Sequence, residues 1–194
     1  MNKCICVIPA RGGSTRIPKK NIRDFHGKPI IAYSIEAASQ SKFFDQVIVS
    51  TDSEEIGNIA RSYGAEIHIR SDEMSRNEVG TQEVMKTVLE YIGIKQGIAC
   101  CIYATSPLMS VEDLKIGYRY LIYNKHRYAL SVGTNPLLDA AQFYWGGVNS
   151  FLDGISLYGI DTSMVPIAAE RVCDINTEED WKRAEAMYEA LQNG

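Results

Sequence analysis

The sequence predicts an α/β protein built on a three-layer, mostly parallel, doubly wound sheet. Short apolar runs bounded by turn residues alternate along the chain with longer stretches whose apolar positions recur at helical spacing. The first of these runs, Cys4 to Ile8, feeds a glycine loop. The chain has 194 residues, 45% hydrophobic and 23% charged, which suits a single domain over 1–194 with a substantial core.

Taken in order, Cys4 to Ile8 is long enough for a buried strand, and Pro9, Gly12 and Gly13 end it. Gly27 and Pro29 punctuate the chain, and Ile31, Ile35 and Ala38 then share one helical face. Val47 to Ser50 reads as the second strand, with Ile56, Ile59, Ala60 and Tyr63 at helical spacing behind it and Gly64 as the cap. Ala65 to Ile69 is a short third strand. Met85, Val88, Leu89 and Ile92 mark a third helix, and Ile98 to Tyr103 a fourth strand. The next helix carries Leu114, Tyr118 and Leu121 and is opened by Ser110, with Asp113 three residues on as a capping pair. Tyr128 to Val132 is another strand. The last helix starts at Thr177, gathers Glu178, Glu179 and Asp180 at its positive end, and presents Trp181, Ala184, Tyr188 and Leu191 inward. No internal repeat, low-complexity segment or interdomain linker interrupts this order.

The stretch that concentrates chemistry is Ile8 to Ile22, IPARGGSTRIPKKNI. Glycines after a strand let backbone N–H groups approach and turn toward one anion. Arg11, Arg16, Lys19, Lys20 and Arg23 add side-chain charge, a quarter of the 20 lysines and arginines in a chain of net charge -4. A triphosphate is the guest this arrangement suits. The loop is not a P-loop, because no Gly-Lys-Ser/Thr follows its glycines, and it is not a dinucleotide fingerprint, because GxGxxG is absent. No extended basic face argues for nucleic acid as a partner. The sequence has neither a signal-peptide pattern nor an apolar run long enough for a bilayer, so no membrane partner is expected and the cytoplasm is the expected compartment. The five cysteines fit that compartment: their number is odd, and Cys4, Cys6, Cys100 and Cys101 lie in apolar runs as core thiols.

Open α/β sheets bind ligands at the carboxyl ends of their strands, which directs attention to the loops there. Ser50-Thr51-Asp52-Ser53 reads first as a helix cap. Arg70 ends the third strand and is followed by Ser71, Asp72 and Glu73. Tyr103-Ala104-Thr105-Ser106-Pro107 lies between a strand and a capped helix. Further on, Asp139-Ala140-Ala141-Gln142-Phe143-Tyr144-Trp145 is an aromatic run whose rings suit either a ligand or the core. Cys173-Asp174-Ile175-Asn176-Thr177 sets two polar residues at a period of two, and in a strand these would share a side.

The fifteen-residue loop resembles the signature of the sugar nucleotidyltransferases, most closely that of the acylneuraminate and pseudaminic acid cytidylyltransferases, which load CMP onto nine-carbon sugar acids. The run ACCIYATSPL is similar to the pseudaminic branch in particular, since the sialic acid branch has a glutamine where Tyr103 stands. The resemblance implies a Rossmann-like nucleotide-diphospho-sugar transferase fold and transfer of CMP from CTP to the anomeric hydroxyl of a sugar acid. It implies catalytic roles for Arg11, Lys20 and Asp174. It implies nucleotide contacts from Ala10, Arg11, Gly12, Gly13, Ser14, Arg16, Lys20, Asn21, Arg70, Thr81 and Thr105, with Lys19 as local support. Tyr103, Asp139, Gln142 and Phe143 are implied at the sugar, and Asp174 with Asn176 as holders of a magnesium ion. CTP and a sugar acid are the implied partners, with a homodimer weakened by a missing middle segment.

The chain departs from the family pattern at particular places. Thr15 stands where the family has a lysine, and Asn176 where it has a second aspartate. Leu138, Gly80 and Ala104 replace a histidine, a threonine and a proline of the pseudaminic branch. Between Val132 and Asp139 only the short link Gly133 to Leu138 remains of a long segment that in the family contributes sugar contacts and dimer surface. Three readings therefore stay open at the level of sequence: an active cytidylyltransferase, a nucleotide-binding relative without turnover, and a nucleotidyltransferase for another acceptor.

Overall fold

The computed structural model describes residues 3–76, 78–134 and 138–193. The chain runs β1 (Lys3–Pro9), a 3-10 turn at Lys20–Ile22, the two-residue strands β2 (Asp24–Phe25) and β3 (Lys28–Pro29), α1 (Ile30–Ser41), β4 (Gln46–Thr51), α2 (Glu54–Ser62) and β5 (Glu66–Ile69). It continues through α3 (Thr81–Tyr91), β6 (Gly97–Ile102), α4 (Val111–Asn124), β7 (Tyr128–Gly133), β8 (Asp139–Gly147), α5 (Val148–Leu152), β9 (Thr162–Ile167) and α6 (Glu178–Asn193).

Seven strands form one sheet in the order β5-β4-β1-β6-β8-β7-β9. The pairs β5–β4, β4–β1, β1–β6 and β7–β9 are parallel, while β8 runs antiparallel to both β6 and β7. The expected α/β sheet is therefore present, with one reversed strand inside it. Helices cover both faces. Ile31, Ile35 and Ala38 of α1, Ile56 and Ala60 of α2, and Leu114 and Leu121 of α4 pack on one side with Cys6, Ile8, Cys100 and Trp145. Val84, Met85, Val88 and Leu89 of α3 pack on the other with Ile5, Val7, Cys101 and Tyr144. Burial of these side chains, at roughly 1.5–3 kcal/mol each, is what fixes the layers. Among the described residues no helix is long and apolar enough to cross a membrane.

Local signals act where the sequence places them. Ser53 Oγ accepts the N–H of Ile56 to open α2, and Gly64, at φ +89°, closes it. Ser110 and Asp113 form a reciprocal capping box at α4. Gly117 lets α4 press onto β8, because a Cβ there would lie 2.6 Å from the Phe143 ring and 2.8 Å from that of Trp145. At α6, Thr177 Oγ1 accepts the N–H of Asp180, while Asp180 Oδ2 accepts the N–H groups of Asn176 and Thr177.

Three expectations are corrected. The last helix packs on a separate small core of Ile17, Phe25, Ile30, Leu108, Cys173 and Ile175, with Trp181 and Ala184 buried, whereas Leu191 is exposed. The Cys173–Thr177 stretch is irregular chain between a 3-10 turn and α6, not the end of a strand. Finally, β8, α5 and β9 are additional to the elements read from the sequence. Of the short link, residues 135–137 lie outside the description. At its two ends the Gly133 N–H donates to Leu138 O at 2.7 Å, so β7 and β8 face each other as antiparallel neighbours.

Candidate active site

In this sheet β1 has β4 on one side and β6 on the other, so the chain reverses its winding direction at β1. Beyond the carboxyl ends of such strands a crevice opens. It is a cleft of about 200 Å³ lined by the loop after β1 (Pro9, Arg11, Ser14, Thr15, Arg16, Lys20, Asn21), by Arg70 after β5, by Thr81 and Val84 of α3, and by Tyr103, Ala104 and Thr105 after β6. Val79 and Asn176 complete the wall.

Each cation of the loop has its own fate. Lys20 Nζ donates to the carbonyl of Ile175 at 2.7 Å, and Arg16 Nη2 donates to Asn176 Oδ1 at 3.0 Å. These two bonds clasp the loop to the segment before α6. Burial lowers the Lys20 pKa below its ordinary value; Asp174 opposes this, and Arg16 and Arg11 add to it. An anion in the cleft would relieve that crowding of positive charge. Lys19 and Arg23 do not face the cleft. Lys19 pairs with both oxygens of Glu55 on α2 at 2.8 Å, and Arg23 pairs with Glu178 while its guanidinium lies 4.5 Å above the Trp181 ring. They anchor the loop and are not part of its charge toward a ligand.

The loop backbone is also partly committed. Gly12 N–H donates to Asp52 Oδ1 at 2.6 Å, and Ser14 N–H to Gly12 O at 3.0 Å, which leaves the Gly13 N–H without a partner among the described residues. Gly12 is required by close approach: a Cβ would sit 3.1 Å from Ser53 Cβ. Ala10 is fully buried and donates its N–H to Ser50 O, so it supports the loop from below and offers no side chain to the cleft. Asn21 Nδ2 holds the Arg11 carbonyl at 2.8 Å. The role of Asp52 was not legible in the sequence, where the motif read first as a helix cap and second as a ligand contact; an acid directly before the capping Ser53 was the available signal.

Arg70 is the deepest cation, with 9% of its surface exposed. Its Nε–H donates to Ser50 Oγ at 3.0 Å, and its Nη2 is buried with no hydrogen-bond partner. An unpaired buried donor costs on the order of 1–3 kcal/mol. Opposite it, the Tyr103 hydroxyl is 3.0 Å from Thr81 Oγ1 and 3.4 Å from the hydroxyl of Tyr144, which in turn donates to Asp139 Oδ2 at 2.5 Å. Tyr158 donates to the same oxygen at 2.7 Å. Burial raises the Tyr103 pKa, so its hydroxyl stays protonated at neutral pH.

Of the residues expected at a sugar, only Tyr103 lines the cleft. Phe143 is fully buried against α4, and Gln142, 2% exposed, donates its amide to Arg171 O at 2.5 Å. Asp139 is engaged by Tyr144, Tyr158 and the N–H of Ala141. For the aromatics the physical reason lies in β8: once that segment is an inner strand, Phe143, Tyr144 and Trp145 belong to the two cores. Asp174 lies next to the cleft and accepts the Asn176 amide at 2.5 Å. Its other oxygen accepts no hydrogen bond among the described residues. No cluster of three or more His, Cys, Asp or Glu side chains suited to a metal occurs among the described residues.

The comparisons with known proteins meet this geometry directly. A family model described as cytidylyltransferase matches residues 5–143, which include β1, the basic loop, Arg70 and the Tyr103 segment. This chain belongs to the cytidylyltransferase family. Among relatives of the cytidylyltransferase, the pseudaminic acid cytidylyltransferase of Campylobacter jejuni is 32% identical, with 96% of both chains covered. That alignment runs over 223 positions, more than the 194 residues of this chain, so the relative carries residues that this cytidylyltransferase lacks. The N-acylneuraminate cytidylyltransferase of Escherichia coli is 37% identical over 67% of this chain and 31% of its own. A solved structure of a CMP:2-keto-3-deoxy-manno-octonic acid synthetase complexed with CTP superposes with a TM-score of 0.78, covering 97% of this chain and 99% of that one. At 14% identity that likeness is one of fold.

Proposed function

We propose that this cytidylyltransferase transfers CMP from CTP to the anomeric hydroxyl of a nine-carbon sugar acid of the pseudaminic type, with release of pyrophosphate. The observation that carries the proposal is the convergence of the side chains of Arg11, Lys20 and Arg70 on one cleft at the switch point of the sheet. The match to a pseudaminic acid cytidylyltransferase along 96% of both chains supports the choice of acceptor.

In this reading the triphosphate lies along the loop, where Arg11, Lys20 and the backbone of Gly12, Gly13 and Ser14 surround it. Arg16 holds the loop to Asn176, and Asn21 fixes the carbonyl of Arg11. Thr81, Thr105 and Arg70 take the nucleoside side of the cleft. The acceptor approaches from the Tyr103 side, where Asp139, Tyr144 and Tyr158 orient that tyrosine. Its anomeric oxygen bonds to the α-phosphorus and gives up its proton to water, while the bond from that phosphorus to the oxygen bridging to the β-phosphate breaks and pyrophosphate carries the electron pair away. Such a transfer asks for positioning and for donors aimed at the equatorial oxygens, which fixed cations in a half-buried cleft provide.

Magnesium fits part of the residue set. Asp174 has one carboxylate oxygen unengaged among the described residues, and a magnesium ion is commonly held by one or two carboxylates together with substrate phosphates. Asn176 would offer the second lone pair of its amide oxygen, the first being taken by Arg16. When bound, the ion would neutralise charge on the phosphate oxygens; the residues around it keep the tasks just described.

The test is pyrophosphate release with CTP and separate sugar acids: pseudaminic acid, N-acetylneuraminic acid and the eight-carbon 3-deoxy-manno-octulosonic acid. The expected result is turnover that is greatest with pseudaminic acid. Turnover with the eight-carbon acid alone would reassign the acceptor, and pyrophosphate release with none of the three would remove the proposed reaction.

A further inference from the structure

Behind the cleft, two adjacent strands carry a polar line that leads from Arg70 to a histidine. Ser50 on β4 and His68 on β5 are direct partners in the parallel register, so their side chains stand on the same side. Ser50 is fully buried and His68 is 5% exposed. Ser50 Oγ lies 3.0 Å from His68 Nδ1 and accepts the Arg70 Nε–H at 3.0 Å.

The direction of these bonds follows from donor and acceptor capacity. A guanidinium only donates, so Ser50 Oγ is an acceptor toward Arg70. Toward His68 the direction follows the charge of the ring: a neutral ring with its proton on Nε2 leaves Nδ1 bare to accept the Ser50 hydroxyl proton, whereas a charged ring donates to the second lone pair of Ser50 Oγ. Burial, then the nearby Arg70 charge, lower the His68 pKa, in agreement with a neutral ring. The groups facing His68 that bear charge or titrate are Arg70 at the end of the same strand and Tyr91 of α3, whose ring meets it edge-on at 4.9 Å. Around Arg70 itself stand Asp52, Cys101 and Arg11.

We propose that His68 is a positioning residue for ligand binding: through Ser50 it holds the Arg70 guanidinium in place at the wall of the cleft, and proton uptake by His68 releases that hold. The proposal rests on the reading of the cleft as a CTP site. Protonation would put an N–H on Nδ1 that takes the second lone pair of Ser50 Oγ and turns the hydroxyl proton away from the ring. It would leave the hydroxyl proton without its acceptor and set a second positive charge two hydrogen bonds from the guanidinium. Each of these effects loosens Arg70. None of them touches Arg11 or Lys20, so binding weakens and is not abolished.

The experiment is calorimetric titration of CTP, and separately of inorganic pyrophosphate, into the full chain between pH 5 and pH 8, with wild type, His68→Gln and His68→Leu compared and thermal melts run alongside. Glutamine restores an acceptor to Ser50 and cannot charge; leucine does neither. At pH 8 wild type and His68→Gln are expected to bind CTP within about twofold of each other, and His68→Leu to bind about three- to tenfold more weakly, the worth of one lost hydrogen bond. On acidification the ligand's own titration affects all proteins alike, so the readout is the ratio of wild-type to His68→Gln affinity, expected to fall about three- to tenfold. A ratio that stays constant with pH overturns the proposal, as does His68→Leu binding like wild type at pH 8. Should His68→Leu fail to fold, the glutamine ratio alone decides. Pyrophosphate binding without CTP binding would discard the nucleotide reading and leave His68 to be judged by the same ratio on pyrophosphate; binding of neither would overturn both.

Discussion

Asn176 donates its side-chain amide to Asp174 Oδ2 at 2.5 Å and accepts Arg16 Nη2 on its own oxygen at 3.0 Å. A neutral amide can make both bonds at once, because it has a donor end and an acceptor end. An aspartate at this position could keep Arg16 but would face the Asp174 carboxylate with like charge.

Asn176→Asp is therefore expected to make the protein more dependent on a divalent cation. Two carboxylates in contact disfavour each other's charge unless a cation lies between them. Without magnesium the variant should melt below wild type, and the rise in melting temperature on adding magnesium and CTP together should exceed that of wild type. Melting curves at graded magnesium concentrations check this. Equal rises in both proteins would show that residue 176 has no bearing on a cation.

Arg171 is expected to stabilise the approach to the cleft from a distance. It forms a bidentate pair with Asp113, whose side chain is buried and also belongs to the cap of α4. Arg171→Ala leaves that carboxylate without its charged partner, and a loss of about 1.5–3 kcal/mol is expected by chemical denaturation. Because Arg171 lies just before the Asp174–Asn176 stretch, CTP affinity should fall as well. A variant as stable as wild type would reduce the pair to a surface contact.

Gly117→Ala tests the packing of the reversed strand. Alanine is favoured over glycine in a helix by roughly 1 kcal/mol, but here its Cβ would meet the buried rings of Phe143 and Trp145 at 2.6 and 2.8 Å. Overpacking of that kind costs about 1–3 kcal/mol, so the net change should be destabilising. A gain in stability on denaturant melting would show that α4 has room to lift from β8.

The strands made of continuous apolar residues were legible in the sequence because both their faces are buried: β1, β4, β6 and β7 all lie in the interior of the sheet. The exceptions are instructive. β9 is an edge strand with alternating burial and contains Pro166, which only an edge tolerates. β8 mixes Asp139, Gln142 and aromatics, a pattern equally suited to a ligand wall, and only its antiparallel pairing with β6 and β7 decides for the core. In the site, the identity of the basic loop was plain, but the direction of each cation was not. Lys19 and Arg23 are turned aside by Glu55 and Glu178, acids contributed by two different helices. Such a choice depends on tertiary neighbours. The polar line from His68 through Ser50 to Arg70 was hidden for the same reason, since it exists only across the register of two strands.

The central claim is that the cleft receives CTP on Lys20 and its neighbouring cations, and calorimetric titration of CTP into wild type and Lys20→Ala at pH 8 tests it most directly. Wild type is expected to bind CTP saturably, one to one. Loss of the charge-assisted contact to phosphate should weaken it in the variant by about 1.5–3 kcal/mol, roughly ten- to 150-fold in Kd. The melting temperature of the variant without ligand should stay within a few degrees of wild type, because the bond from Lys20 to the Ile175 carbonyl is a single contact at a half-buried site. Wild-type protein that gives no CTP binding, or a Lys20→Ala variant that binds CTP as tightly as wild type, would contradict it.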